Sequence, residues 1–143
     1  MIMDCSSCKK NNLLHFETKL GINYDYPIFS FKHLVSNKEY NFSKIPENEL
    51  KDFCKLLIET IQKLETQYTT KSLFSMKKSN IFESFSIERL KFKPTTLKYS
   101  NDTKVYIFRV TSDYRMICIF SDVAPIFHVI GFDFRYNAYN HGS

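Results

Sequence analysis

The last third of the chain limits its fold most strongly. Three runs rich in β-branched and aromatic residues follow one another there, at residues 104–110, 114–121 and 125–134. Only residues 111–113 and the region 122–124 separate them. Links this short join antiparallel neighbours, because a parallel pair needs a crossover of a dozen or more residues. The sequence therefore predicts a three-stranded antiparallel meander.

An amphipathic helix is predicted ahead of this meander. Apolar residues recur at three- and four-residue steps after Pro46, which suits a first helical turn, and Ser43 is the candidate cap. Charged residues occupy the other side of the helix. The stripe expected to pack on the core comprises Leu50, Phe53, Cys54, Leu57, Ile58, Ile61, Leu64 and Tyr68.

The remaining segments give weaker signals. Residues 27–35 alternate as a short strand does, and a second, shorter helix is predicted within residues 69–80 with Thr69 or Thr70 as its cap. Residues 81–94 are ambiguous between strand and helix.

Helices followed by a sheet predict a single α+β domain over residues 1–143. N-terminal helices would pack on one face of an antiparallel sheet, and residues 1–20 would form a flexible or loosely packed extension.

Several function classes are excluded by what the chain lacks. Its three glycines form no glycine-rich phosphate loop. It has no basic start followed by an apolar run, and no apolar stretch near the roughly 20 residues that a membrane span needs. We therefore expect a cytoplasmic, soluble protein without a membrane partner or a cofactor.

The four cysteines are expected to be free thiols, as a reducing cytoplasm keeps them. Cys54 on the helix stripe and Cys118 inside a strand are expected to be small core residues. Cys5 and Cys8 form a CxxC, for which His15 is a third candidate ligand, but no second CxxC follows. One CxxC is only half of the usual zinc ligand set, so a polar N-terminal segment without metal is the expectation. A zinc site is the alternative.

The net charge of +5 comes from one segment of the chain. Basic and acidic residues balance in residues 1–70 and 101–143, whereas residues 71–100 hold seven Lys or Arg and two Glu. Such concentration is typical of a phosphate-binding surface, and a solvated lysine face is the alternative. The candidate RNA-binding residues are Lys77, Lys78, Arg89, Lys91, Lys93, Lys98 and, in the tail, Arg135.

Two arginines interrupt the apolar hairpin. If residues 111–113 form a three-residue loop, Val110 pairs with Tyr114 and Arg109 lies directly opposite Arg115. Like charges opposed across two strands are destabilising. We therefore interpret the pair as facing an anionic ligand, since the planar donor fork of arginine suits phosphate.

The same register, continued through a tight second turn that pairs Ser121 with Ile126, sets Ile119 opposite His128. The two arginines and His128 would then share one face. A two-residue turn would break this pairing, since one step of register flips every side chain. Ordinary salt bridges are a further alternative, with Asp102, Asp113 and Asp133 as the available partners.

The segment "VYIFRVTSDYRMICIF...IFHVIGFDFRYNAY" resembles the C-terminal half of the RelE/ParE/HigB toxin superfamily. That superfamily has a strand carrying arginine, a short turn, a second strand beginning with Tyr-Arg, a third strand and a tail ending near an aromatic residue. Here these elements are Arg109, Tyr114 with Arg115, Ile126–Asp133 and Tyr139. The ending is similar to that of uncharacterised small proteins from phages and mobile elements of low-GC bacteria.

The resemblance covers roughly residues 45–141 and implies a RelE-like fold, with helices on a curved antiparallel sheet. It also implies RNA cleavage without metal, or gyrase poisoning in the ParE branch. The implied partners are RNA, the ribosome and an antitoxin protein. Residues 1–40 depart from the pattern, because most members are shorter and begin directly with a strand and helices.

The resemblance implies roles for individual positions. Arg109 and Arg115 match the basic sheet positions that bind the scissile phosphate. Tyr139 matches the C-terminal aromatic used for base stacking or proton transfer, while Arg135 and His141 lie where members vary. We expect few buried contacts from residues 139–143, so that their removal would cost little stability.

Metal-independent RNA cleavage needs a base, an acid and cations that stabilise the transition state. Guanidinium groups suit the last task, His128 or His141 could be the base, and Tyr139 or a lysine could be the acid. The expected function is a RelE-like toxin that cleaves mRNA, with or without the ribosome. The alternative is a non-catalytic module of phage or mobile-element origin that binds nucleic acid or inhibits a host protein.

Overall fold

A five-stranded sheet with one long helix packed across it forms the fold. The computed structural model of the chain describes residues 25–76, 81–121 and 123–140. The strands are β1 (Ile28–Ser30), β2 (Phe82–Ser86), β3 (Lys104–Arg109), β4 (Arg115–Phe120) and β5 (Ile126–Asp133). The helices are α1 (Glu47–Gln67) and α2 (Thr70–Ser75), with 3₁₀ turns at Phe42–Lys44 and Ile87–Arg89.

The sheet order is β1-β5-β4-β3-β2, so β3, β4 and β5 form the predicted antiparallel meander. The ambiguous residues 81–94 supply β2, which extends the meander antiparallel to β3. At the other edge β1 pairs with β5 in parallel. The α+β class is confirmed, and the sheet is mostly antiparallel. Among the described residues, no helix combines the length and apolarity needed to cross a bilayer.

α1 covers one face of the sheet, which we call the helix face. The buried side chains of α1 are Phe53, Leu57, Ile61 and Leu64. They join one core with sheet residues that include Phe108, Met116, Cys118, Phe127 and Phe132. Burial of Cys118 was expected and raises the pKa of its thiol.

The predicted stripe of α1 is wider than the part that is buried. Leu50, Cys54 and Ile58 are exposed, so the expectation that Cys54 is a core residue is wrong. A helix lying on a sheet buries only a strip of its surface, and these residues flank that strip. The helix begins after Pro46 without a side-chain cap, whereas Ser43 lies in the preceding 3₁₀ turn.

The second helix begins as predicted. The hydroxyl of Thr69 accepts a hydrogen bond from the backbone nitrogen of Ser72 at 3.0 Å. α2 ends at Ser75, and residues 77–80 of the predicted helix lie outside the described residues.

Connecting segments cover the opposite face of the sheet, which we call the loop face. Ile107, Ile117 and Ile119 point to this side and form a second core with the segments before α1, after β2 and after β5. β5 carries an extra residue opposite the Ile117/Cys118 step of β4, which is a β-bulge. Gly131 lies beside this bulge, where the chain leaves no room for a side chain.

Gly131→Ala should lower the free energy of unfolding by about 1–3 kcal/mol, because it overpacks the second core. An added Cβ would lie 2.5 Å from Cζ of Phe92 and 3.2 Å from the carbonyl oxygen of Tyr40. The Phe92 ring cannot swing away freely, since it stacks on Tyr40 at 4.4 Å. Urea unfolding checks this, and the loss should shrink in a Phe92→Leu background. An equal loss in both backgrounds would contradict the packing argument.

Candidate functional site

The two hairpin arginines lie opposite each other, as predicted. Arg109 ends β3 and pairs with Arg115, which begins β4. The backbone nitrogen of Val110 donates to the carbonyl oxygen of Tyr114 at 3.0 Å, which closes the three-residue loop. Within residues 25–76, 81–121 and 123–140 neither arginine forms an ion pair. The salt bridges considered as the alternative therefore do not form.

The two arginines differ in exposure. Arg109 is exposed, whereas Arg115 is only 9% exposed. The guanidinium carbon of Arg115 lies 4.6 Å from the centre of the Tyr136 ring. Its Nη1 is buried and has no hydrogen-bond partner in the part of the chain that the structure describes.

Tyr136 covers Arg115 in a conformation that few residues of its size adopt. Its backbone has a φ of 56°, in the left-handed region, where a bulky residue is strained. Its hydroxyl donates to the carbonyl oxygen of Ser112 at 3.0 Å. The tyrosine thereby connects the segment after β5 to the loop between β3 and β4.

A buried carboxylate lies on the other side of Arg115. Asp133 of β5 is directly opposite Arg115 and is 0% exposed. One of its oxygens accepts a hydrogen bond from the backbone nitrogen of Asn137 at 3.1 Å. A buried carboxylate is costly unless a cation and hydrogen bonds offset it. Arg115 and Asp133 therefore carry opposite charges at paired positions without a direct ion pair, and Arg109 is the second cation in this row of three charged residues.

Tyr139 anchors the tail to the loop face. It is 3% exposed, and its ring lies 4.5 Å from that of Phe85. Its hydroxyl donates to Oε1 of Glu83 at 2.9 Å, and it forms a β-bridge with Leu90. The expectation of few buried contacts here is wrong. Burial and then the hydrogen bond to Glu83 raise the pKa of the phenol far above its ordinary value, so it stays protonated at neutral pH.

His128 shares the loop face with the arginines but lies far from them. It pairs with Ile119, as predicted. Ile119 is four residues from Arg115 along β4, which corresponds to about 13 Å. The packed ring of Phe92 lies over the intervening part of the face. His128 is therefore not within hydrogen-bonding reach of the arginine pair, and His141 lies outside the described residues.

A second histidine lies beside His128. The ring centroids of His33 and His128 are 5.0 Å apart, and Nδ1 of His33 is 2.7 Å from the hydroxyl of Thr96. Nδ1 of His128 is buried and has no hydrogen-bond partner among the residues that the structure describes. Burial, followed by the nearby His33 and Lys32, lowers the pKa of His128.

Part of the basic segment serves the fold. The ammonium group of Lys93 donates to the carbonyl oxygens of Ile87 and Leu90, at the end of a 3₁₀ turn. The Arg89 guanidinium lies 4.5 Å from the centre of the Phe85 ring and donates to the carbonyl oxygen of Asn140 at 2.8 Å. These two cations therefore have structural contacts of their own.

The other basic candidates are more available to a ligand. Lys91, Lys98 and Arg135 are exposed. Lys77 and Lys78 lie outside the described residues. Among the described residues of this segment, the exposed candidates Lys91 and Lys98 come after β2 in the sequence.

The sequence predicted only some of the residues around Arg115 and Tyr139. Asp133 was identified there as a possible partner. Glu83 gave no signal because its segment was ambiguous, and nothing in the pattern predicted that Tyr136 covers an arginine. In the described part of the chain, no three residues of the types His, Cys, Asp and Glu lie close enough to hold a metal ion. Cys5, Cys8 and His15 lie outside that part.

Comparison with known proteins gives no independent guide: no family model, curated protein or solved structure matches this chain.

Arg109→Gln should raise the free energy of unfolding by roughly 0.2–1 kcal/mol, because it removes a like charge directly opposite Arg115. Lys104→Gln is the matched control, since Lys104 is exposed at the other end of β3 and pairs with Ser86 of β2. The control should change little in urea unfolding. Greater destabilisation by Arg109→Gln than by Lys104→Gln would mean that the arginine is a structural residue.

The depressed pKa of His128 predicts that stability falls as the solution becomes more acidic. The folded state favours the neutral imidazole, so the contribution is complete above the unfolded pKa of 6.5 and is lost as pH falls through the lower folded value. In His128→Gln the melting temperature should vary less between about pH 7 and pH 5.5, above the range where most carboxylates titrate. An identical pH profile for the variant and the parent would contradict this.

Proposed function

We propose that the protein binds RNA and that Arg109 contacts a phosphate of the bound strand. One observation carries the proposal: Arg109 lies directly opposite a second arginine, and the acidic residue of the row, Asp133, lies one strand further away beside Arg115. Arg109 is exposed and has no ion-pair partner in the described residues. A second guanidinium at this position destabilises the hairpin, because it repels Arg115. Its donor fork can bind the oxygens of a phosphate.

The charges around the hairpin support an anionic ligand. Arg135 is exposed just after β5, and the exposed Lys91 donates its backbone nitrogen to the carbonyl oxygen of Ala138 in the tail. The chain carries a net charge of +5, which favours association with a polyanion.

The element order supports kinship with the RelE/ParE/HigB superfamily, which we include in the proposal. Within residues 45–141, two helices are followed by an antiparallel meander, as the resemblance implies. An antitoxin partner and a ribosomal target stay predictions of that kinship.

Among the residues that the structure describes, the geometry favours binding over cleavage. A metal-free ribonuclease needs a base and an acid at the phosphate. His128 lies about 13 Å along the sheet from Arg115. Tyr139 is buried, and its proton is directed at Glu83. We therefore propose the non-catalytic function ahead of the endoribonuclease.

RNA binding of Arg109→Gln tests the proposal. With a labelled single-stranded RNA we expect an affinity about tenfold or more below that of the parent, the size of a lost charge-assisted hydrogen bond. The slope of log affinity against log salt should fall by roughly 0.7, the value for one phosphate contact with a single strand. Lys51→Gln, which removes an exposed charge from α1, is the control.

Incubation of the RNA in EDTA, with and without ribosomes, separates binding from cutting. We expect binding without new fragments. Equal affinity for Arg109→Gln and the parent would contradict the assigned contact, and Arg109-dependent fragments would establish the endoribonuclease instead.

A further inference from the structure

The two edge strands of the sheet differ in how their outer backbone groups are satisfied. β1 forms one edge and β2 forms the other. In β1 the backbone nitrogen of Phe29 faces away from β5 and donates to Oε2 of Glu65 in α1 at 3.1 Å. An unsatisfied strand edge is a template for pairing with another chain. The side chain of Glu65 therefore protects the β1 edge against such pairing.

The β2 edge has no comparable protection at its centre. Backbone hydrogen bonds join Arg109 to Ile81 at 3.3 Å and Ile87 to Thr103 at 2.9 Å, at the two ends of the β2–β3 ladder. Backbone groups alternate in direction along a strand, so those of Ser84 point away from β3. Ser84 is exposed, and no hydrogen bond reaches its backbone from the residues that the structure describes.

The composition of β2 also leaves this edge open to pairing. Natural edge strands commonly carry lysine or proline, which discourage the addition of a further strand. The β2 sequence FESFS contains neither. Its one charged residue, Glu83, lies on the loop face, where one carboxylate oxygen accepts a hydrogen bond from the Tyr139 hydroxyl at 2.9 Å. The outer edge of β2 is therefore uncharged.

The strand is complementary to itself. Antiparallel pairing of two copies about Ser84 would set Glu83 of each copy opposite Phe85 of the other. The guanidinium carbon of Arg89 lies 4.5 Å from the centre of the Phe85 ring, so Glu83 would meet Arg89 of the second copy. Within the described residues neither of these two side chains forms an ion pair. Pairing about Phe85 instead would set Glu83 opposite Ile87, so the charges favour the first register.

We propose that β2 pairs antiparallel with β2 of a second copy of this chain, so that one sheet continues through a symmetric dimer. Ser84 then exchanges two backbone hydrogen bonds with its own counterpart, and the two-fold axis repeats the Glu83–Arg89 contact. A short strand pair forms a small interface, so the dimer should dissociate on dilution. The dimer is independent of the proposed RNA binding.

Analytical ultracentrifugation of the full chain over a range of concentrations tests the dimer. A reductant excludes disulfides through the exposed Cys54. Ser84→Pro removes an N–H that β3 does not use, and proline is tolerated at such edge positions. We expect the parent to dimerise and this variant to stay folded and monomeric. Ser84→Ala, which keeps the N–H, is the matched control and should dimerise as the parent does.

A charge variant tests the same interface without altering the backbone. Glu83→Gln keeps an oxygen for the Tyr139 hydroxyl but removes the charge that faces Arg89. The dimer should weaken about fivefold, because two exposed ion pairs are lost, and its dissociation should depend less on salt. Glu59→Gln removes an equal charge from the exposed side of α1 and should leave the dimer unchanged.

Two results would overturn the proposal. A parent that stays monomeric at every concentration would leave the β2 edge to a different chain. A dimer that neither Ser84→Pro nor Glu83→Gln weakens would form through another surface. Circular dichroism checks the fold of Ser84→Pro, and if that variant unfolds, the comparison of Glu83→Gln with Glu59→Gln decides: equal dimer affinities would overturn the interface.

Discussion

A row of three charged residues across the meander determines what this end of the sheet can do. Arg109, Arg115 and Asp133 occupy paired positions on β3, β4 and β5. The central arginine lies beside the buried carboxylate of Asp133, where an opposite charge lowers the cost of burial without a direct ion pair. The outer arginine, Arg109, is exposed and faces no acidic residue across the strand pair. We infer that its ligand is a phosphate.

The packing of the two cores explains why the row of three charged residues is separated from His128 on the loop face. On the helix face, α1 covers the sheet with a continuous set of apolar side chains. On the loop face, Phe92 and Tyr40 pack over Gly131 and occupy the middle of the surface. This packing separates the arginines from His128. A single catalytic centre across the face is therefore not assembled from these residues, and the arginine end has to function with its own neighbours.

The sequence predicted the register of neighbouring strands well. It predicted poorly which distant segments pack over the sheet. A three-residue loop after Val110 was sufficient to place Arg109 opposite Arg115, because alternation along a strand transmits the register. The same alternation could not show that the polar tail returns to bury Tyr139, since that contact joins segments 56 residues apart. Nor could it show the parallel pairing of β1, or that α1 buries only part of its stripe, which left Cys54 exposed. Those outcomes depend on which segments meet in space.

A double-mutant cycle between Arg109 and Arg115 tests the central claim most directly. The cycle compares the unfolding free energies of the parent, Arg109→Gln, Arg115→Gln and the double variant. It gives the coupling between the two side chains, because the effect of each single substitution, including any lost interaction of Arg115 with Asp133, cancels. The account predicts a repulsive coupling of roughly 0.2–1 kcal/mol in the free protein, which shrinks when saturating RNA places a phosphate at Arg109. A coupling that is zero or already favourable without RNA would contradict it.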